Sequence, residues 1–319
     1  MTPSLVRYAT PLAALLPALA SADPARDVPN FTGPLATPAV NTLPQGVLNI
    51  EPYLIHTNAR GSYDNARSRH GDRWTTRQWQ VALPMAYGLS DTTNVQLTLN
   101  AMRTSTRSGH TDGLRMGDSA VRLQQRLSGP GDQGTAWVSA VSVTQRIPTG
   151  DYHHLGANPL NGTGNGTART TLSVGAQKLQ WLANDHALRW RGQLAWGPSP
   201  GRVSVRGRSV YGTEQGFRGT ARPGQAWNSS LAAEYVLDSR WVLVGEAIWN
   251  HLGSTAMRGV TYGRVRAWRS RPSSDLSLAP AVEYHVGPSL GLIAGVQFTV
   301  AGRNATSYVA PQVAVNMVL

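Results

Sequence analysis

The chain has 319 residues, of which 41% are hydrophobic and only 14% are charged, and it contains no cysteine. The hydrophobic fraction is too low for a helical membrane protein, and the lack of cysteine excludes a disulfide framework and a thiolate metal site. The formal net charge of +12 rests on arginine, because Lys178 is the single lysine.

The N-terminus has the features of a secretory signal peptide. Arg7 precedes an apolar stretch, residues 9–20. The small residues Ala20-Ser21-Ala22 lie at its end. A basic start, a short apolar core and a small-residue cleavage site predict a signal peptide at residues 1–22, removed from the mature protein. No run of 18 apolar residues follows, so no transmembrane helix is expected. An exported chain of this kind is periplasmic, secreted or an outer-membrane barrel.

Residues 23–45 are rich in proline and show no regular alternation of apolar and polar residues. Because proline cannot donate a hydrogen bond to a sheet, this segment is not expected to form a regular strand. We expect an extended lead-in and consider two interpretations of it. The segment either lies inside a barrel lumen or forms a disordered periplasmic tail.

From residue 46 onward, apolar residues recur at every second position, which is typical of strands with one apolar face. The clearest case is a hairpin between Ser274 and Arg303, in which Gly287-Pro288-Ser289 forms the turn. Each of its two runs lasts about a dozen residues, longer than the five or six of most globular strands. Twelve strands are predicted, at about residues 46–57, 75–87, 92–102, 117–127, 135–147, 168–180, 186–197, 226–237, 241–252, 274–286, 290–300 and 307–319.

The connections between these strands alternate in length. Tight turns are predicted near residues 89, 131, 184, 239 and 288. Long connections are predicted at 57–74, 103–116, 148–167, 198–225 and 253–273, and a short one at 302–306. Outer-membrane barrels have short periplasmic turns and long extracellular loops, whereas a soluble sandwich does not sort its connections in this way. We therefore predict an all-β fold, a 12-stranded antiparallel transmembrane β-barrel over residues 46–319, in the cell outer membrane.

The last strand carries apolar residues at alternate positions up to the terminal Leu319. This pattern is typical of a barrel-assembly signal with a weak final residue, since an aromatic residue is usual at that position. The barrel-assembly machinery is therefore an expected partner, together with the outer-membrane lipid.

Several short motifs resemble one family, the MetA-pathway of phenol degradation family of outer-membrane transporters. They are Gly33-Pro34-Leu35, residues 42–46 running into Glu51, Gly117-Asp118, Pro148-Thr149-Gly150-Asp151, Gly162-Thr163-Gly164, and the closing hairpin with Pro280 to Tyr284, Gly295 to Phe298 and Gly302-Arg303-Asn304. The resemblance extends over nearly the whole mature chain. It implies an outer-membrane barrel that passes hydrophobic or aromatic compounds, and it supplies no catalytic residues or cofactor.

Alternation places a set of charged side chains on the inward face of the barrel. This lumen charge cluster comprises Glu51, Arg122, Arg126, Arg189, Arg191, Glu234, Glu283 and His285. It acts either as a constriction that filters solutes or as a structural ion-pair network. Arg189 and Glu234 each lie about four residues from a tight turn on neighbouring strands, so we predict an ion pair between them, with Arg191 as the alternative partner.

Arginine greatly outnumbers acidic residues in the predicted long loops. Because arginine binds phosphate in a bidentate manner, contact with lipopolysaccharide is one hypothesis, and a solvated surface without a partner is the other. The signal peptide and the strands argue against nucleic-acid binding.

No cofactor motif or metal-ligand spacing is present, and His153-His154 without placed carboxylates make a poor metal site. The expected function is passage of small, hydrophobic or aromatic solutes through an outer-membrane channel. The alternatives are a lipolytic enzyme, for which His251 with Ser229 or Ser230 would supply the reactive pair, and a structural or surface-interaction barrel. We do not expect an enzyme.

Overall fold

The computed structural model describes residues 27–131 and 134–319, apart from the side chains of residues 73 and 74. The predicted signal peptide, residues 1–22, lies outside the described residues. The strands, in chain order, are β1 (Leu48–Ile50), β2 (Tyr53–Tyr63), β3 (Arg69–Ser90), β4 (Thr93–Thr106), β5 (Gly109–His110), β6 (Arg115–Met116), β7 (Ser119–Ser128), β8 (Val138–Ile147), β9 (Arg169–Trp181), β10 (Ala187–Gly197), β11 (Val203–Arg206), β12 (Phe217–Arg222), β13 (Ala226–Val236), β14 (Trp241–Leu252), β15 (Ala256–Thr261), β16 (Arg264–Arg269), β17 (Ser273–Leu278), β18 (Ala281–Gly287), β19 (Leu290–Arg303) and β20 (Ala305–Val318). A single turn of 3₁₀ helix spans Pro159–Asn161.

The predicted 12-stranded antiparallel barrel is confirmed. Its wall consists of β1 with β2, then β3, β4, β7, β8, β9, β10, β13 and β14, then β17 with β18, then β19 and β20. The barrel closes because β20 pairs with β19 on one side and with β2 on the other. No helix within the described residues is long and apolar enough to cross a membrane.

Inward and outward faces follow the alternation that the sequence predicts. In the closing hairpin, Val282 and Leu292 are exposed on the outer surface, whereas Glu283 and Ile293 are buried inside. Lipid contacts only the outward side chains, so each strand needs apolar residues at every second position and tolerates charge between them. The long strands, with 14 residues in both β19 and β20, are long enough to cross the bilayer with a tilt.

The first predicted connection is wrong. Residues 57–74 are largely strand, because β2 and β3 pair up to Tyr63 and Arg69 and leave only residues 64–68 as a turn. This part of the hairpin carries few apolar residues, so no alternation marks it as strand. We attribute the lack of pattern to its place beyond the lipid, where an outward apolar face is not required. The first predicted strand is also interrupted, between β1 and β2.

The two longest predicted loops contain a second sheet that the sequence analysis missed. Residues 198–225 and 253–273 contribute β11, β12, β15 and β16, which form a four-stranded antiparallel sheet in that spatial order. One face buries a small core of Val205, Phe217, Ala221 and Met257. Because these strands have only four to six residues each, their alternation is too short to stand out from a loop.

The described part of the lead-in lies in the barrel lumen. Leu35 packs into the largest buried cluster of the barrel, and Val40 packs against Val138 and Ala140. At the rim with the tight turns, the backbone of Pro44 passes close to Gly88. A Cβ atom added at Gly88 would lie 2.0 Å from the Pro44 carbonyl oxygen, so the contact requires glycine.

Candidate functional site in the barrel lumen

The centre of the lumen charge cluster is an ion pair between β10 and β13. Arg189 and Glu234 are direct register partners on these strands. Arg189 Nε donates to Glu234 Oε2 at 2.6 Å, and Arg189 Nη2 donates to Oε1 in a second, parallel contact. The Glu234 carboxylate is fully buried. The predicted pair is therefore present, in the bidentate geometry that arginine and carboxylate favour.

The predicted alternative partner lies close to the same carboxylate. Arg191 Nη2 is 3.6 Å from Glu234 Oε2, and only 5% of the Arg191 side chain is exposed. A single carboxylate thus faces two guanidinium groups. Burial of an unpaired charge is costly, and the carboxylates of Glu246 and Glu283 also interact electrostatically with Arg191.

Glu283 holds the backbone of the lead-in. Its carboxylate accepts hydrogen bonds from the amides of Thr32, at 2.7 Å, and Gly33, at 3.1 Å. His285 lies one inward position further along β18, with its Nε2 atom 3.6 Å from Glu283 Oε2. Both side chains are buried. Both side chains thus point into the lumen, where Glu283 binds the lead-in and His285 lies beside Glu283.

Glu246 on β14 completes this arrangement and was missed by the sequence analysis. Its carboxylate accepts from the Thr37 amide at 2.7 Å, from the Thr37 hydroxyl at 2.8 Å and from the Ala36 amide at 3.2 Å. The alternation along β14 could have identified it, because Glu246 occupies an inward position between Val244 and Ile248. Two carboxylates thus bind successive parts of the lead-in: Glu283 on β18 binds residues 32–33, and Glu246 on β14 binds residues 36–37.

The two arginines at the centre also contact the lead-in. The Arg189 guanidinium lies over the ring of Phe31, with 3.6 Å from its central carbon to the ring centroid. Arg191 Nη1 donates to the Thr37 carbonyl oxygen at 3.3 Å. Charged side chains of both signs therefore bind the lead-in. Its own backbone amides donate to the carboxylates, and its Thr37 carbonyl accepts from Arg191.

Two of the remaining predicted residues lie away from this centre, whereas Glu51 is close enough to Arg191 and Glu283 to interact electrostatically with both. Glu51 accepts from the Tyr53 hydroxyl at 2.9 Å. Arg122, midway along β7, donates to the Ser142 hydroxyl at 3.0 Å. Arg126 reaches the rim, where its Nε donates to the Thr42 hydroxyl at 3.0 Å. The eight predicted residues thus divide into a central group of six, which includes Glu51, and two peripheral members, Arg122 and Arg126.

A cavity of about 590 Å³ remains beside the lead-in. Its lining is mixed: apolar groups such as Phe31, Leu35 and Ile55 lie next to Gln96 and Arg122. A volume in this range is typical of sites for small organic molecules. The lumen is therefore narrowed by the lead-in but not filled.

Three of the short sequence motifs meet at the outer end of β7, β8 and β9. Asp118 Oδ1 accepts from the Gly150 amide and Oδ2 from the Asn165 amide, both at 3.1 Å. A Cβ atom at Gly164 would lie 2.3 Å from Asp118 Oδ1, so the close approach needs glycine. The motifs around Asp118, Gly150 and Gly164 thus build one structural junction.

The residues considered for lipolytic chemistry do not form a reactive pair. Ser230 points into the lumen and is buried, whereas His251 stacks on Trp249 at the outer face of β14. Ser229 is the register partner of Trp249, and Trp227 is the partner of His251. Within the described residues, no group of three or more histidine, aspartate or glutamate side chains is placed to hold a metal ion.

Comparison with solved structures gives a similar barrel. The COG4313 outer membrane channel from Pseudomonas putida F1 aligns with a TM-score of 0.61 at 15% identity, over 88% of this chain and 98% of that one. The Pseudomonas putida toluene transporter TodX aligns with a TM-score of 0.39 at 10% identity, over 86% and 89%. The transport unit of the Escherichia coli autotransporter AIDA-I gives 0.44 at 11%, over 89% and 93%.

No curated protein sequence gives a significant match to the chain. The sequence profile of the family described as "Putative MetA-pathway of phenol degradation" matches residues 66–310, which span most of the barrel. This match, together with the closed 12-stranded wall, confirms the family that the short motifs resemble. The chain belongs to the MetA-pathway of phenol degradation family.

Proposed function

We propose that the protein is an outer-membrane channel for small hydrophobic solutes, including aromatic compounds. The observation that carries the proposal is the lead-in in the lumen, held by Glu246 and Glu283 beside a cavity of about 590 Å³. The family description, which refers to phenol degradation, and the similarity in fold to the COG4313 outer membrane channel support it.

The nature of the contacts supports a lead-in that moves. Its described residues add no strand to the barrel wall, and carboxylate side chains bind their backbone instead. These contacts are a few separate hydrogen bonds rather than the continuous series of a strand ladder, and water can replace them one at a time. The proposed role of the lead-in is to narrow the channel at rest and to shift when a solute passes.

The cavity lining supports a preference for amphiphilic or apolar solutes over sugars. Phe31, Leu35 and Tyr53 offer apolar and aromatic surface near a few polar groups. Apolar walls with a small number of polar groups are typical of sites for aromatic molecules. The lumen charge cluster serves in this proposal mainly as a structural network that positions the lead-in.

Liposome swelling tests the proposal directly. Proteoliposomes with the full mature chain are compared in isosmotic solutions of a phenolic solute, an aliphatic alcohol of similar size and a disaccharide. We expect faster swelling with the phenolic solute than with the disaccharide. Equal rates for all three, or rates no higher than in empty liposomes, would overturn the proposed function.

Two further partners and the division of the chain belong to the same proposal. The apolar alternation of β20 supports recognition by the barrel-assembly machinery, and the exposed arginines of the four-stranded sheet support contact with lipopolysaccharide. Residues 1–22 act as the signal peptide, residues 23–45 as the lead-in and residues 46–319 as the barrel.

A further inference from the structure

A second cavity, of about 380 Å³, lies toward the end of the barrel with the longer connections. That end faces the exterior in this class of barrel. The cavity is separate from the lead-in and from the lumen charge cluster. Its lining consists of Arg146, Arg169, Thr171, Ala195, Ala226, Trp227, Asn228, Asn250, His251, Leu252, Ser273 and Asp275.

Two arginines lie directly opposite each other on one wall of this cavity. Arg146 on β8 and Arg169 on β9 are register partners, and both occupy inward positions. Like charges at directly opposed positions destabilise a strand pair. Among the described residues, neither arginine forms a salt bridge with a carboxylate. The pair therefore concentrates positive charge that no described carboxylate neutralises through a salt bridge.

Arg169 is fixed in position but incompletely satisfied. Its side chain is nearly buried, with 3% of the residue exposed. Nη1 donates to the Gly197 carbonyl at 3.2 Å and Nη2 to the Gly224 carbonyl at 2.8 Å, while the buried Nε has no hydrogen-bond partner. The two hydrogen-bonded nitrogens fix the orientation of the guanidinium. The buried Nε is a donor without an acceptor, and buried donors in proteins nearly always have one.

The facing wall is polar without being strongly acidic. Asn228 Nδ2 donates to Asn250 Oδ1 at 2.9 Å, and Asn250 Nδ2 donates to Asp275 Oδ2 at 3.1 Å. The single carboxylate in the lining thus already accepts an amide. Ala195, Ala226 and Leu252 add apolar surface between the two walls. The cavity accordingly suits a small molecule with one anionic group and an apolar body.

We propose that Arg146 and Arg169 bind the carboxylate of a small organic acid, of the size of benzoate, in the outer cavity of the barrel. Guanidinium groups recognise carboxylates through two parallel hydrogen bonds, and a desolvated site strengthens them. This inference rests on the proposed channel function, because it names an acidic solute class that the channel would take up. The neutral part of the molecule would lie against the apolar lining.

Binding is measured with purified full-length protein in detergent, with benzoate as the probe and benzyl alcohol as its neutral analogue. Titration calorimetry gives the affinities. We expect saturable benzoate binding that falls about tenfold or more in R146Q and in R169Q, as loss of a charged hydrogen bond implies. R202Q, which removes an exposed arginine outside the cavity, is the matched control and should bind as the wild type does.

Folding is checked by the heat-induced mobility change on gels, and R146K provides a second test. Lysine keeps the charge but loses the bidentate geometry, so R146K should bind benzoate more weakly than the wild type and more tightly than R146Q. Equal benzoate affinity in wild type, R146Q and R169Q would overturn the inference. So would equal sensitivity of benzyl alcohol and benzoate to these substitutions.

The same proteins in liposomes separate this inference from the channel function. Passage of benzyl alcohol with no arginine-dependent binding of benzoate would refute the acid site and leave the channel intact. Arginine-dependent binding of benzoate in a barrel that passes no solute would support the acid site and refute the channel.

Discussion

Arg189 and Glu234 face each other across β10 and β13 and form a bidentate ion pair inside the barrel, with the carboxylate fully buried. Each lies close to a tight turn of its hairpin, so the two strands bring them to the same depth. The Phe31 ring of the lead-in covers the Arg189 guanidinium. The pair is thus shielded from water by a segment that comes from outside the barrel wall.

Replacement of Glu234 by glutamine tests how dry this part of the lumen is. The substitution leaves two buried guanidinium groups without their carboxylate, since Arg191 faces the same side chain. Removal of one partner of a buried ion pair costs about 3–5 kcal/mol, whereas a solvated pair contributes about 1 kcal/mol or less. We expect the larger effect, seen as a clear drop in the unfolding temperature in detergent. Glu214→Gln, at an exposed loop residue, is the control; equal unfolding temperatures for the two variants would mean that water fills this part of the lumen.

A disulfide between the lead-in and the wall tests whether the lead-in must move. A Cβ atom at Gly291 would lie 3.2 Å from the Thr32 Cβ, slightly below the usual disulfide range, and the chain has no other cysteine. In the Thr32→Cys, Gly291→Cys double variant, oxidation should slow liposome swelling by a phenolic solute, and reduction should restore it. The two single variants control for the substitutions. Identical swelling of the oxidised and reduced double variant would show that passage does not need the lead-in to leave the wall at this point.

The pKa of Asp112 gives a pH dependence to an outer loop. Hydrogen bonds from the Asn161 amide, at 2.7 Å, and the Asn158 amide, at 3.0 Å, lower the pKa of this exposed carboxyl below its ordinary value of 3.8. A carboxyl with a lowered folded pKa contributes stability above its unfolded pKa, and this contribution is lost as the pH falls through the folded pKa. We expect residues 157–163 to be ordered near neutral pH and to loosen below a pH of about 4.

Hydrogen exchange of residues 157–163 checks this expectation at neutral pH, where the method works well. Asp112→Ala should raise the exchange rate of the loop at neutral pH, because it removes the acceptor that both asparagines use. Asp72→Ala, at an exposed residue of β3, is the control. Unchanged exchange in Asp112→Ala would show that backbone contacts alone hold the loop.

The barrel wall was predictable from sequence wherever lipid imposes a pattern. The prediction for β14 agrees with the structure at both ends, Trp241 and Leu252, because an apolar residue is required at every second position within the bilayer. The Arg189–Glu234 register followed from the positions of two tight turns. Both arguments use only local chain geometry. The bilayer adds the requirement that every wall strand presents an apolar face to lipid.

The parts outside the lipid and the contacts of the lead-in could not be predicted, for two physical reasons. The outer part of β2 and β3 and the four-stranded sheet do not have to present an apolar face to lipid, so their residues carry no long alternation. The lead-in is held through its backbone amides at Thr32 and Thr37, and backbone groups leave no signature in the sequence. The opposed pair Arg146 and Arg169 was missed because its register depends on two long, separately folded strands.

The exposed face of the four-stranded sheet provides the remaining prediction. Five arginines lie on this face, and the four strands contain no acidic residue: Arg206, Arg218, Arg222, Arg258 and Arg269. Arg206 and Arg218 are direct register partners, so like charges oppose each other here as well. Such a surface fits the phosphate groups of lipopolysaccharide, which accept bidentate hydrogen bonds from guanidinium groups.

Removal of two of these charges should weaken that contact without affecting the barrel. Arg218 and Arg258 lie on neighbouring strands outside the wall, and both are exposed, so their replacement by glutamine leaves the lumen and the core of the sheet unchanged. We expect the double variant to retain less lipopolysaccharide than the wild type after purification from outer membranes, measured by native mass spectrometry. The matched control replaces Arg60 and Arg67, which are equally exposed near another outer turn. Since the proposed contact is to phosphate, dephosphorylated lipid should bind wild type and variant alike. Equal retention of intact lipopolysaccharide by both double variants would mean that the arginine face is a solvated surface without a lipid partner.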